Sequence, residues 1–494
     1  MRPLEVYAVI DLGSSFIRGM IAHKKQDGRV SPISYEVLPT EGCIRHGAIY
    51  NLENTARKIQ EIVERLNEKL EDNVEIKQLY IGTSALSLKN HMYVLERQMQ
   101  ADGDEITDET IREVKSEVAT VEYPRQVIIE RMEPYFEIDG KIEAFPVGVM
   151  CREFKAHVPI ISIKDWIYNN IKTIVEDRLH LKLAGVLPSP LCEARISLSE
   201  SQRNYGSIFV NLGGGSTSVV IYVGGVFRRL RVIPMGGDNI TLDIQNYLRL
   251  SYEDAVKLKM DYASATTNFD RDKLYYTTGI DGISKRSIRI SDVNRIVVAR
   301  LREILVNVIE VIKNAGVYRD TQMFYLFSGG ATQIKELDQL LKKEIGTISF
   351  TADVSPYIDF DNVLGHEQEL HALIGITYFA SDFCVGPIRD TLNDIIAPTA
   401  DLPKREPTRD TDEWADFSTD DSSSFSAYTS SGEFESYEEE PLEEEPMESK
   451  KKEKKEKSAA PSLFARLKDT AIKALSVKDE NENYDNDDLG YGNE

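Results

Sequence analysis

The chain has 494 residues, 41% of them hydrophobic, and a net charge of −23; this is more than one core holds, so two or more domains are expected. Residues 401–494 carry 27 acidic and 13 basic side chains, which leaves the first 400 only mildly acidic and, with no extended basic surface, argues against nucleic-acid binding. No apolar run reaches the roughly 18 residues of a membrane span, and the N-terminus has no signal-peptide pattern. The four cysteines, Cys43, Cys151, Cys192 and Cys384, form no CxxC pair, so reduced thiols in a cytoplasmic protein are expected.

In chain order, the apolar run from Val6 to Ile10 is a buried strand that enters the turn Asp11-Leu12-Gly13-Ser14-Ser15 and leaves as a second strand, Phe16 to His23. Ile59, Ile62, Val63, Leu66 and Leu70 recur at helical spacing, and Leu79 to Ile81 is another buried strand. Residues 86–162 have a different texture. Thr107-Asp108-Glu109-Thr110 starts a helix, Gln126 to Glu130 and Tyr135 to Ile138 are strands, and Asp139-Gly140 is a turn. This stretch reads as a small inserted α/β subdomain. After a break at Leu187-Pro188-Ser189-Pro190, the strand Ile208 to Val210 leads into Asn211-Leu212-Gly213-Gly214-Gly215-Ser216-Thr217-Ser218 and out along Val219 to Ile221. Val226 to Ile233, the turn Met235-Gly236-Gly237-Asp238 and two helical segments follow, Ile240 to Leu250 and Glu253 to Asp261. A long helix carries Ile296, Val297, Leu301, Ile304, Leu305, Val308, Ile309 and Ile312. The strand Phe324 to Phe327 then enters Ser328-Gly329-Gly330-Ala331, which opens a helical pattern, and residues 371–384 form a small-residue helix. Strands alternating with helices, twice over, indicate two doubly wound α/β halves.

The glycines of the first two turns expose successive backbone N–H groups, and the hydroxyls beside them add donors. Such a nest binds phosphate oxygens, and a Cβ would block the approach. Either turn alone is also an ordinary hairpin; the pair, joined by the Ser-Gly-Gly-Ala turn, reads as a nucleotide clamped between two similar halves. Arg18 is either a phosphate contact or a solvated strand residue.

Residues 399–460 are rich in Ser, Glu, Asp and Pro and are expected to be disordered, with a coil reach of about 45 Å. Beyond them Leu463, Phe464, Leu467, Ala471, Ile472 and Leu475 share one helical face, with Arg466, Asp469 and Lys473 opposite it, Lys468 flanking it and a lysine run, Lys450 to Lys457, upstream. That pattern suits an interfacial helix on anionic lipid, each cation worth about 1 kcal/mol near the surface. A helix docking on a protein, or folding back on the body, is the alternative.

These turns resemble the actin, heat-shock chaperone and sugar-kinase superfamily and, within it, the FtsA family of bacterial division proteins, over residues 5–395 and the far C-terminus. The resemblance also rests on the insert, with Phe145 to Gly148 and Ala156 to Val158 as its closing segment, on Ala255 to Asp261, on Arg300 to Leu305, and on Leu373-Ile374-Gly375. It implies an actin-like two-domain ATPase fold with the inserted subdomain, a disordered arm and a C-terminal amphipathic helix. One half would comprise 1–85, 163–206 and 356–398 around the insert 86–162. The other would comprise 207–237 and 306–355 around the subdomain 238–305. The arm 399–460, the membrane-targeting helix 461–476 and the acidic tail 477–494 would follow.

The resemblance further implies ATP held by Asp11, Gly13, Ser14, Ser15, Asn211, Gly213, Gly214, Gly215, Ser216, Thr217, Gly236, Gly237, Lys259, Gly329, Gly330 and Ala331, with Mg²⁺ reached from Asp11 through water. It implies a homopolymer that tethers FtsZ to anionic lipids at the inner membrane face of the division site, alongside other division proteins. Arg286, Arg289 and Arg300 would meet the acidic FtsZ tail. The chain departs from the family at Asn211, where Asp is usual, and at Val256, where Glu is usual. Turnover is therefore weak at most; Glu193 is a candidate for aligning water, and Asn211→Asp is expected to raise turnover. An actin-like ATPase of the pilus-assembly or sugar-kinase type is the alternative.

Overall fold

Two five-stranded sheets repeat one plan. The computed structural model describes residues 5–98, 103–143, 146–266, 273–279, 284–317, 323–346, 348–359 and 367–387, all in a unit that ends at Ile388. The first sheet runs in the order Lys182–Pro188, Gln78–Thr83, Val6–Leu12, Phe16–Lys24, Val30–Pro39. The second runs Val226–Ile233, Thr217–Val223, Ser207–Leu212, Phe324–Ser328, Ser349–Thr351. In each, an antiparallel meander lends its first strand to a parallel set. Val6–Leu12 pairs antiparallel with Phe16–Lys24 and parallel with Gln78–Thr83. Ser207–Leu212 does the same with Thr217–Val223 and Phe324–Ser328.

Burial explains why these strands read as continuous apolar runs. Sheets covered on both faces cannot alternate polar and apolar residues. Along Ser207–Leu212, Ile208, Val210 and Leu212 enter one core while Phe209 enters the other. The helix Leu52–Asn67 covers the first sheet. Asn51 caps it by accepting a hydrogen bond from the Asn54 amide, and Ile59, Ile62, Val63 and Leu66 form its buried stripe, each worth roughly 1.5–3 kcal/mol. Leu70 lies past the helix end but still packs on that core.

Between residues 89 and 164 a separate small sheet is organised by one long strand, Glu153–Lys164. It pairs with Lys89–Gln98, Gln126–Arg131 and Tyr135–Ile138. Phe154, Ala156, Val158 and Ile160 pack with Val114 and Val118 of the helix Asp108–Ala119, whose start at Thr107 is a reciprocal capping box with Thr110. Ile161 and Ile163, further along the strand, belong to the main core instead. One strand thus roots the insert in the body.

Two helices connect the halves, Ser189–Ser197 and Glu367–Phe379. They cross at Gly375, where an added methyl would lie 2.8 Å from the Cys192 carbonyl carbon and 3.0 Å from its oxygen. Beyond the second sheet lie the helices Gly237–Leu248, Tyr252–Tyr262 and Ile290–Asn314 and the hairpin Leu274–Thr278 with Lys285–Arg289.

Three details differ from expectation. The Ser-Gly-Gly-Ala turn opens a 3₁₀ turn, Gly330–Gln333, and the α-helix begins only at Leu337. Glu336 intervenes with a left-handed φ of 59°, its carboxylate accepting from Ser264 Oγ at 2.7 Å. The helix expected at 371–384 runs Glu367–Phe379, and Val385–Pro387 instead pairs with Val74–Ile76. The edge strand Ser349–Thr351 is too short to show a period. The arm, the amphipathic helix with Leu463, Phe464, Arg466, Leu467, Lys468, Ile472, Lys473 and Leu475, and the acidic tail all lie outside the described residues. No helix among the described residues is long and apolar enough to cross a membrane.

Candidate functional site: the cleft between the two sheets

Both predicted turns sit where the first strand of each meander ends, and the fold brings them into contact. A Cβ on Gly215 would lie 2.6 Å from Ser14 Cβ, and one on Gly214 would collide with Ser15 Oγ. Gly13 is required by its own turn, since a Cβ there would be 2.6 Å from the Phe16 carbonyl oxygen. Ser15 Oγ donates to the Asp238 carboxylate at 2.8 Å. Ser14 Oγ accepts from the Gly47 amide at 3.1 Å, and the Ser14 carbonyl accepts from Thr40 Oγ1 at 2.5 Å. His46 Nδ1 lies 2.6 Å from the Gly215 carbonyl oxygen, so the loop carrying it reaches across to the second turn.

Backing the second turn is Met235-Gly236-Gly237. The Gly237 and Asp238 amides donate to the Gly213 and Gly214 carbonyls at 2.8 Å, and Thr217 Oγ1 donates to the Met235 carbonyl at 2.7 Å. Lys259 reaches the same place from its helix and donates Nζ to the Gly237 carbonyl at 3.1 Å. Burial holds its pKa below the ordinary lysine value, with the Asp238 charge opposing. Ala331 packs against Gly237, Gly329 lies against Asn211 and Leu212, and open space lies over Gly330. Ser216 is buried within its turn.

Asp11 ends its strand buried and accepts a hydrogen bond from Ser189 Oγ at 2.7 Å. Burial raises its pKa, opposed by the Ser189 hydroxyl and the Arg18 charge. Arg18 is a half-buried residue of the strand Phe16–Lys24. Its guanidinium lies beside Gly13, and its buried Nε has no hydrogen-bond partner among the described residues. Asn211, in the equivalent place of the second sheet, donates Nδ2 to Glu193 Oε2 at 2.6 Å. Ser328 Oγ donates to Glu193 Oε1, and His371 Nδ1 lies 3.6 Å from that oxygen. Glu193 is 2% exposed, so it is a buried polar junction and not a group open to water.

The sequence-predicted residues of the three turns and Lys259 therefore converge. Ser189, His46, Asp238 and His371 were not among the predicted site residues; Ser189 stood in a break and Asp238 in a turn, neither with an assigned role, and the partners of all four are distant in the chain. Arg286 and Arg289 do line a shared surface pocket of about 300 Å³ with Tyr247, Leu248 and Asp292. Arg300 does not join them. It is bound to Asp243 at 2.6 and 2.8 Å and to Glu303 at 2.6 Å, which neutralises it locally and argues against an anion contact there.

Comparison with known proteins agrees with this architecture. The family model for cell division protein FtsA matches residues 208–363. Cell division protein FtsA of Porphyromonas gingivalis is 36% identical over 392 residues, covering 79% of this chain and 82% of that protein. The Bacillus subtilis protein of the same name is 25% identical over 333 residues, 66% of this chain and 73% of its own. Among solved structures, a chain of the PilM-PilN type IV pilus biogenesis complex aligns with a TM-score of 0.52 at 13% identity, covering 76% of this chain and 99% of that one. That likeness concerns the fold alone.

Proposed function

The chain belongs to the FtsA family of cell division proteins, and from that premise we propose that it is an ATP-binding, actin-like protein that self-assembles and ties FtsZ filaments to the inner face of the membrane at the division site. The observation that carries the nucleotide part is the meeting of two strand-ending glycine turns, the Ser-Gly-Gly-Ala turn and Lys259 at one point between two equivalent sheets. Backbone N–H groups of the two turns and the guanidinium of Arg18 are suited to phosphate oxygens. Lys259, Gly329, Gly330 and Ala331 would border the nucleoside.

The donor set fits a magnesium ion that arrives with the phosphates. Asp11 is a buried carboxylate within the first turn, and Mg²⁺ is commonly held by one or two carboxylates together with phosphates and water. When bound, the ion would offset phosphate charge; Asp11 would hold its water shell. The proposed subdomain 238–305 contains the Arg286 and Arg289 pocket, whose charge suits an acidic FtsZ tail, and residues 461–476 would supply the membrane contact. Nucleotide would act mainly by favouring one angle between the halves. The test of the nucleotide part is a thermal melt of the full chain with and without MgATP. A ligand that binds only the folded state raises Tm by mass action, so a rise of several degrees is expected at millimolar MgATP. An unchanged Tm contradicts the reading.

A further inference from the structure

Glu193 has no role in the nucleotide site as described so far, yet it is the carboxylate that touches Asn211. We infer that Glu193 is a positioning residue that fixes Asn211 with its oxygen toward the turns, so that an amide held by a buried carboxyl group presents the acceptor there. The inference rests on the proposed nucleotide site and concerns how that site is held ready.

An ionised carboxylate only accepts hydrogen bonds, whereas a carboxamide has a donor end and an acceptor end. With Nδ2 given to Glu193 Oε2 at 2.6 Å, Asn211 Oδ1 must face the other way. It lies where a side chain on Gly329 would sit, 2.6 Å from that added Cβ, and 3.5 Å from the one on Gly213. The acceptor is thus presented between the second turn and the Ser-Gly-Gly-Ala turn, where metal-bound water or a nucleotide hydroxyl would donate. Glu193 is itself held by Ser328 Oγ, with His371 Nδ1 beside it. Its helix also carries Ser189, which donates to Asp11. One connecting helix thereby sets the acceptors of both turns.

The geometry revises the expectation for Asn211→Asp. That change alone would press two carboxylates together in a buried place, whereas Asn211→Asp with Glu193→Gln reverses the polarity of the hydrogen bond and keeps it. The test is a double-mutant cycle by urea unfolding of the full chain without ligand. Each single variant is expected to lower the midpoint, and the double variant to recover most of the loss. Fluorescent ATP titrations then compare wild type with Glu193→Gln in Mg²⁺ and in EDTA; about tenfold weaker binding is expected in Mg²⁺ only. A double variant no better than the sum of the singles, or an unchanged magnesium dependence in Glu193→Gln, overturns the inference. A wild type that binds no ATP at all removes the nucleotide reading itself. The two failures are distinguishable because the unfolding cycle needs no nucleotide.

Discussion

At Lys259 folding and binding pull in opposite directions. Its half-buried ammonium has the Gly237 carbonyl and the Asp238 charge beside it, an arrangement whose burial lowers its pKa at some cost in stability and places a cation where phosphate or ribose oxygens would arrive. Lys259→Met is therefore expected to melt at least as high as wild type while binding ATP about tenfold more weakly. A pH dependence follows. The folded chain holds this proton less tightly than the unfolded chain, so the unfolded state binds more protons between the lowered value and the ordinary one near 10.4. Stability should rise with pH across that window, and melts of Lys259→Met from pH 7 to 10 should lack that part of the rise. At this scale glycine was the legible signal, because Gly13, Gly214 and Gly215 stand where a Cβ would collide. Asp238, Ser189 and His371 were not legible. Each is polar, and its role depends on a partner that the fold brings from far along the chain.

The connecting helices are the elements on which the site depends. Ser189–Ser197 carries Ser189 to Asp11, Glu193 to Asn211 and Ser328, and Arg195 to Glu130 of the insert at 3.1 Å. Arg195 also lies over the Phe379 ring of the returning helix at 4.9 Å. Any change in the crossing of these helices therefore reaches both turns and the insert. Gly375→Val places two methyl groups against the Cys192 backbone, which cannot give way as a flexible side chain can. A loss of about 2–3 kcal/mol is expected by urea unfolding, with weaker ATP binding in the variant that remains folded. A Gly375→Val protein as stable as wild type would mean the helices do not pack at this point. Strand and helix identities were largely readable here because each buried strand is a continuous apolar run and each long helix a 3.6-residue stripe, as in Val6–Leu12 and Ile290–Asn314. The delayed start of Leu337–Ile345 was not readable, since it depends on Ser264 holding Glu336 across the subdomain.

For the whole molecule, two equivalent sheets in series are suited to holding a ligand at their junction and converting its presence into an angle. The insert is rooted by Glu153–Lys164, tied by Glu130 to Arg195, and touches the second sheet where the Leu230 amide donates to Asn90 Oδ1 at 3.1 Å. The proposed work at the membrane falls to the C-terminal segment, whose sequence sets Leu463, Phe464, Leu467, Ile472 and Leu475 at helical spacing after the acidic run 399–460. The cations near them in sequence, Arg466, Lys468 and Lys473, with Lys450 to Lys457 upstream, would favour an anionic surface under the proposed function. The most direct measurement is flotation of purified FtsZ with anionic liposomes in MgATP, using the full chain and the chain lacking residues 461–476. The account predicts that FtsZ floats with the full chain and stays behind with the truncated one. FtsZ that remains in the soluble fraction with both, or floats equally with both, contradicts the tether.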